Sequence, residues 1–174
     1  MKSVVWSLPL FFMLFAVEAQ EGAIDTRIYV APTISYDLID SDRGADNGLG
    51  MRFSIGFPLN QSLVAETSLF GSNHGSGGGD LSLGGALLDG LYFYHHRGAV
   101  ARFVVLGAGL IRSTTNSSAV TNTMANLGWG VLYQFDERVG MRADLRYRLE
   151  SGDSGRRSDW LLGVGIVVPI GDLP

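Results

Sequence analysis

Apolar and polar residues alternate with a period of two along most of the chain, in segments of roughly ten residues. Clusters of Gly, Asn, Asp and Ser separate these segments. In one clear segment Leu127, Trp129 and Val131 alternate with Gly128 and Gly130. Because successive side chains of a strand point to opposite faces, the pattern predicts β-strands with one apolar face rather than helices.

Eight segments follow this pattern. The predicted strands are residues 27–38, 49–57, 62–70, 83–94, 101–111, 125–135, 141–150 and 160–170. The fourth and fifth segments are apolar on both faces, so their registers stay open, and we place Asp89 and Arg102 on the inner face. An even number of such strands predicts an all-β fold, an eight-stranded antiparallel up-and-down transmembrane β-barrel.

The connections between the predicted strands alternate in length. Residues 58–61, 95–98 and 136–138 form short turns, whereas residues 41–48, 71–80, 112–123 and 151–158 form longer polar loops. Short turns at one end and longer loops at the other are typical of outer-membrane barrels. A soluble periplasmic barrel is the alternative at the level of the fold.

Large aromatic residues near the predicted strand ends favour the membrane over the soluble alternative. Such residues sit at the two membrane–water interfaces of transmembrane proteins. The predicted interfacial aromatics are Phe57, Tyr92, Tyr94, Tyr133 and Phe135 near the short turns, and Tyr36 and Trp160 near the longer loops.

The first residues, 1–19, are predicted to be a cleavable signal peptide, which leaves residues 20–174 as the barrel domain. Lys2 gives a positive start, residues 4–17 are apolar, and Val17-Glu18-Ala19 offers small residues for cleavage. The apolar stretch falls short of the ~20 residues that a spanning helix needs. Export together with the alternating pattern predicts the bacterial outer membrane, with outer-membrane lipid and the outer-membrane assembly machinery as partners.

Composition narrows the chemistry further. The 174-residue chain has no Cys, which excludes disulfides and thiolate metal sites. A formal net charge of −4 argues against nucleic acid as a partner. Adjacent imidazoles at His95 and His96 point to opposite sides of a strand, so we expect no metal site there and no cofactor elsewhere.

The inner faces carry charged residues of both signs. An eight-stranded barrel leaves room only for side chains, and a buried lone charge costs several kcal/mol, so these residues should pair across the lumen. The predicted lumen salt-bridge network is Glu66, Asp89, Arg102, Arg142, Asp144 and Arg146. Two interpretations are open: a plugged, hydrogen-bonded core, or a narrow gated pore in which Glu66 exchanges Arg partners.

One loop motif suggests a third function. His74-Gly75-Ser76 resembles the His-x-Ser arrangement of outer-membrane lipid A deacylases, in which a His activates a Ser. The residues that follow do not continue that pattern, and a Gly-rich loop explains the motif better. We therefore expect no enzymatic activity.

Several short stretches resemble the barrel domain of OmpA-like outer-membrane proteins, namely residues 89–94 (DGLYFY), 139–147 (VGMRADLRY) and 162–166 (LGVGI). The resemblance implies an eight-stranded barrel inserted by the outer-membrane assembly machinery. It also implies that Glu66, on the third strand, pairs with lumen Arg residues; its expected neighbours are Arg102, Asp144 and Arg146. The resemblance covers the barrel only, so the peptidoglycan anchoring of OmpA proteins is not expected.

The sequence thus predicts a non-enzymatic outer-membrane barrel with a structural or surface-interaction role, in which the loops are available to a surface ligand. A small gated pore and a lipid-modifying enzyme are the alternatives.

Overall fold

The computed structural model describes residues 25–75, 80–115, 118–152 and 155–171. The predicted signal peptide and Ser76 lie outside these ranges. The strands are β1 (Tyr29–Leu38), β2 (Gly48–Pro58), β3 (Leu63–His74), β4 (Leu81–Arg97), β5 (Val100–Thr114), β6 (Ala119–Gln134), β7 (Gly140–Gly152) and β8 (Gly155–Pro169). A 3-10 turn, η1 (Ser41–Arg43), lies between β1 and β2. Within the described ranges no helix is long and apolar enough to cross a membrane.

The strands close into a single barrel. Each strand pairs antiparallel with the next along the chain, and β1 pairs with β8. Closure removes every sheet edge, so all strand N–H and C=O groups can pair inside the wall. The predicted fold class is therefore confirmed.

The outer face of the barrel is a continuous apolar band. Leu69, Leu88 and Leu106 each expose 66% of their surface. A monomeric soluble protein rarely exposes an apolar surface of this extent, whereas lipid requires one. Above the band, the outer face of the β5–β6 hairpin becomes polar, with Arg112 and Thr121 exposed. The soluble alternative does not fit this surface.

The predicted aromatic residues lie on the outer wall close to its two ends. Tyr133 and Phe135 meet edge to face near the β6–β7 turn, with ring centroids 5.0 Å apart. At the opposite end Trp160 packs on Tyr147 with centroids 4.9 Å apart. Tyr94 accepts a hydrogen bond of 2.7 Å from Trp129 Nε1.

At the loop end the strands are longer than the sequence predicts. β3 continues to His74, β5 and β6 reach Thr114 and Ala119, and β7 and β8 are separated by two residues only. The predicted loop extents at residues 71–80, 112–123 and 151–158 are therefore wrong. Above the lipid no face needs to be apolar, so polar residues there continue the hydrogen-bonded ladder without the alternation that marks a strand.

The inner faces of β4 and β5 fill the lumen with apolar side chains. Near the short turns Leu91, Phe93, Phe103 and Val105 form one buried cluster. Near the loops Leu83, Leu87, Ile111 and Met124 contribute to a second. These two strands are apolar on both faces because one face meets lipid and the other packs inside the barrel.

The position of Arg102 contradicts its prediction. Its neighbours Ala101 and Phe103 are buried in the lumen, so the alternation of β5 places Arg102 on the outer wall, where it is exposed. It lies opposite His95 of β4 and Val131 of β6. The inward placement of Arg102 is wrong because Phe103, the larger apolar group, occupies the lumen.

A charged network inside the barrel

One strand supplies five of the buried charged groups in the lumen. Arg142, Asp144, Arg146, Arg148 and Glu150 occupy every second position of β7, and each exposes 3% of its surface or less. Their neighbours Met141, Leu145 and Leu149 face outward. The period of two therefore separates a fully charged face from a lipid-facing one on the same strand.

The lower tier of the network is centred on Glu66 of β3. Arg142 donates two hydrogen bonds to the carboxylate, one of 2.6 Å to Oε2 and one of 3.1 Å to Oε1. Tyr29 of β1 donates its hydroxyl to Oε2 at 2.9 Å. Glu66 itself is fully buried. A bidentate guanidinium and a phenol together satisfy a carboxylate that has no access to bulk water.

Asp144 and Asp89 extend this tier across the lumen. Arg52 of β2 donates to Asp144 at 2.7 Å, and Arg146 donates to Asp144 at 3.2 Å and to Asp89 at 2.6 Å. Asn126 donates to Asp89 at 2.8 Å. The lower tier therefore balances three carboxylates against three guanidinium groups and links β2, β3, β4 and β7.

The upper tier lies at the loop end of the lumen. Arg43 of η1 reaches into the barrel, 2.6 Å from Glu150 and 2.8 Å from Asp159. Arg148 binds the same Asp159 carboxylate at 2.8 Å. Burial opposes the charge on Arg43, but its hydrogen bonds to Asp159 and Glu150 outweigh that effect and raise the pKa of the guanidinium. The ion pairs of Arg43 therefore hold the loop between β1 and β2 against the lumen.

Small inward residues make room for these long side chains. A Cβ atom on Gly107 would overlap the Asp89 carboxylate, and one on Gly56 would overlap the Tyr29 ring. The many Gly residues of the chain therefore have a packing role, which is to leave space opposite large or charged groups.

The lumen has an open mouth at its short-turn end. A cavity of about 700 Å³ lies at the short-turn mouth, lined by His96, Gln134 and Glu137 among others. Above it a space of about 30 Å³ remains between Tyr29, Phe103 and Arg142, enough for one water molecule. Within the described ranges no group of three His, Cys, Asp or Glu residues could hold a metal ion.

Five of the six predicted network residues meet in the lower tier: Glu66, Asp89, Arg142, Asp144 and Arg146. Arg102 does not, and Glu66 pairs with Arg142 rather than with Arg102. Arg43 is absent from the prediction because it lies in a polar loop with no strand pattern to orient it. The signal that points to it is the surplus of carboxylates, Glu150 and Asp159, at the loop end.

His74 of the predicted His-x-Ser motif is also placed inside. It is almost fully buried, with Nε2 2.9 Å from Ser72 Oγ and Nδ1 3.1 Å from the Asp46 carbonyl. Its proposed partner Ser76 lies outside the described residues. Both ring nitrogens of His74 are therefore engaged by groups that hold the first loop and the wall together.

A closed antiparallel barrel with an apolar exterior and a paired charged interior is the architecture of outer-membrane β-barrel proteins. No family profile matches the chain. One curated relative, outer membrane porin F of Pseudomonas aeruginosa, is 30% identical over 140 residues that cover 73% of this chain and 40% of the relative. The chain thus spans about 40% of the length of the curated relative that it matches.

Solved structures share the fold. Neisserial surface protein A superimposes with a TM-score of 0.69 at 18% identity, covering 86% of this chain and all of that one. The N-terminal barrel of Pseudomonas aeruginosa OprF gives 0.51 at 21% identity, covering 82% and 97%. Ail of Yersinia pestis gives 0.53 at 14% identity, covering 83% and 99%. The fold is that of OmpA-like eight-stranded outer-membrane barrels, and the resemblance seen in the sequence is confirmed.

Proposed function

We propose that the protein is a non-enzymatic, non-conducting outer-membrane barrel with a structural role, whose loop end is the surface available for interactions. The observation that carries this proposal is the closure of the lumen by two tiers of buried ion pairs. Arg142 with Glu66 occupies the lower tier and Arg43 with Glu150 and Asp159 the upper one.

The energetic argument favours a plug over a channel. Each charge in these pairs has an oppositely charged partner within 3.3 Å, so the paired carboxylates and guanidinium groups neutralise one another. Opening a path requires the separation of several such pairs, and breaking even one buried pair costs about 3–5 kcal/mol. The apolar layer around Phe103 and Leu91 adds a second barrier to ions.

The non-enzymatic part of the proposal is supported by His74. Its two ring nitrogens are hydrogen-bonded to Ser72 and to the Asp46 carbonyl, within the wall. A base that activates a nucleophile is hydrogen-bonded to a hydroxyl that a substrate can reach, whereas the Ser72 hydroxyl that His74 contacts belongs to a residue that is only 5% exposed. Outer-membrane lipid and the assembly machinery are the partners that a barrel of this kind requires.

Conductance in planar lipid bilayers tests the proposal directly. The refolded wild-type protein should give no current steps above the background of the bilayer. Arg112→Gln, which changes an exposed Arg on the outer wall at the loop end, is the matched control and should also be silent. Regular steps from the wild-type protein would refute the closed lumen.

A gated pore is the second candidate, and one observation favours it. Arg146 lies between three carboxylates, 2.6 Å from Asp89, 3.2 Å from Asp144 and 3.7 Å from Glu66. A cation shared in this way could exchange partners, and the curated relative carries the name porin. In this case Glu66→Gln, which frees Arg142 and Arg146 from one carboxylate, should produce steps that the wild-type protein shows only rarely.

A further inference from the structure

The β4 strand contains a bulge near its short-turn end. Phe93 pairs with Phe103 and His95 pairs with Arg102, so Tyr94 is the extra residue. The hydrogen bond from the lipid-facing Trp129 places Tyr94 on the outer wall, and pairing with Arg102 places His95 there too. Bulges often re-aim side chains in this way. Without the bulge, strict alternation would turn His95 and Arg97 inward.

The bulge therefore gathers basic side chains on one outer patch, formed by His95, Arg97 and Arg102. Arg102 lies directly opposite His95, and Arg97 is opposite Val100, two residues from Arg102. Directly opposed Cβ atoms are about 5 Å apart and diagonal ones about 7–8 Å apart, so one small anion can contact all three. Among the described residues, the side chains of Arg97 and Arg102 make no hydrogen bond or ion pair.

The patch lies at the level of the aromatic residues. Tyr92 and Trp129 both pair with Val104, two residues above Arg102, and Tyr133 pairs with Val100, two residues below it. Tyr and Trp rings sit at the level of the lipid headgroups. A basic residue there costs about 0–1 kcal/mol, against about 2–4 kcal/mol at the midplane, because its side chain can reach the phosphates.

We propose that His95, Arg97 and Arg102 form a binding site for the headgroup of an anionic glycerophospholipid in the leaflet at the short-turn side. The planar guanidinium forks of Arg97 and Arg102 bind phosphate oxygens, and His95 contributes a further nitrogen beside them. The hydrogen-bonded pair of Tyr94 and Trp129 packs against the glycerol and the first methylenes of the acyl chains. Charge complementarity selects this occupant, since no carboxylate in the described part of the chain forms an ion pair with Arg97 or Arg102.

Native mass spectrometry of the refolded protein in mixed micelles of phosphatidylglycerol and phosphatidylcholine tests the site. Each basic residue near an anionic headgroup contributes about a fivefold preference. We expect the wild-type protein to retain phosphatidylglycerol over phosphatidylcholine, Arg102→Gln to lose about fivefold of that preference, and the Arg97→Gln/Arg102→Gln variant about 25-fold. Arg102→Lys should keep part of it, because it retains the charge without the fork.

The control is the Arg112→Gln/Arg156→Gln variant, which removes two exposed charges at the opposite end of the barrel. It should keep the wild-type preference. Heat-dependent mobility on SDS gels verifies that each variant is folded, so a loss of lipid is separable from a loss of the barrel. Equal losses in the control, or no preference in the wild-type protein, would overturn the site while leaving the proposed closed lumen untouched.

Discussion

Replacement of Arg142 by Gln probes the lower tier most directly. The change removes a guanidinium that makes hydrogen bonds of 2.6 Å and 3.1 Å to Glu66 and one of 3.3 Å to Asp144. Glu66 then keeps the Tyr29 hydroxyl and has Arg146 at 3.7 Å as its remaining cation. The carboxylate is left buried and only partly compensated.

The expected cost follows from that geometry. Loss of one partner from a buried pair costs about 3–5 kcal/mol. Because Tyr29 and Arg146 still face Glu66, we expect the lower end, a decrease of about 3 kcal/mol in the free energy of unfolding. The Glu66→Gln/Arg142→Gln variant should be less destabilised than the sum of the two single variants by about 1–3 kcal/mol, since it leaves no unpaired charge.

The assay is equilibrium unfolding in urea of protein refolded into lipid vesicles, followed by tryptophan fluorescence and by gel mobility. Arg112→Gln serves as the control and should change the free energy by no more than about 0.5 kcal/mol. If Arg142→Gln is as mild as this control, the ion pair is solvated in the membrane. The argument for a plugged lumen then fails, whatever the conductance shows.

Three further outcomes are expected. The closed barrel should migrate faster in SDS without boiling than after boiling, because all its strand edges are paired; a single mobility would contradict closure. Gly56→Ala should lower stability by about 1–3 kcal/mol because the new methyl overlaps the Tyr29 ring, whereas Gly71→Ala, with its nearest atom 3.8 Å away, should be neutral in the same unfolding assay. The backbone N–H groups of Asp42 and Ser158 hold the pKa of the Asp40 carboxyl below its usual range. Amide-exchange protection of Ser158, measured by NMR, should therefore be present near neutral pH and be lost as the pH falls through that depressed pKa. An unchanged profile in Asp40→Asn would contradict this.

The sequence was sufficient to predict the wall of the barrel and most of the lower tier. In β7, charged residues such as Arg146 alternate with apolar residues such as Leu145, so only one register keeps the charges away from lipid. That register identifies the residues of β7 that face the lumen. The same alternation of charged and apolar positions predicts that Glu66 and Asp89 face the lumen. Where one face is charged and the other apolar, a single sequence determines orientation without further information.

The errors have two physical sources. Over residues 101–111 of β5 both faces are apolar, so the sequence pattern makes the single charge there, Arg102, a false marker of the lumen; a basic residue close to the interface costs little free energy on the lipid side. Arg43 was missed because its position depends on how a loop folds back over the barrel. Neither the bulge at Tyr94 nor this fold-back leaves a periodic signal in the sequence.

Buried ion pairs alone are weak evidence for stability, since well-packed apolar residues often serve as well. In this barrel the ion pairs instead exclude alternative strand registers. A slip of β7 by one residue would turn Arg142, Arg146 and Arg148 towards lipid, at about 2–4 kcal/mol for each near the midplane. The total would be of the same order as the whole stability of a typical domain, about 5–15 kcal/mol, and the carboxylates of Glu66 and Asp159 would lose their partners besides. The charged face of β7 therefore fixes the register of the barrel, and the paired charges in the lumen are a consequence of that register.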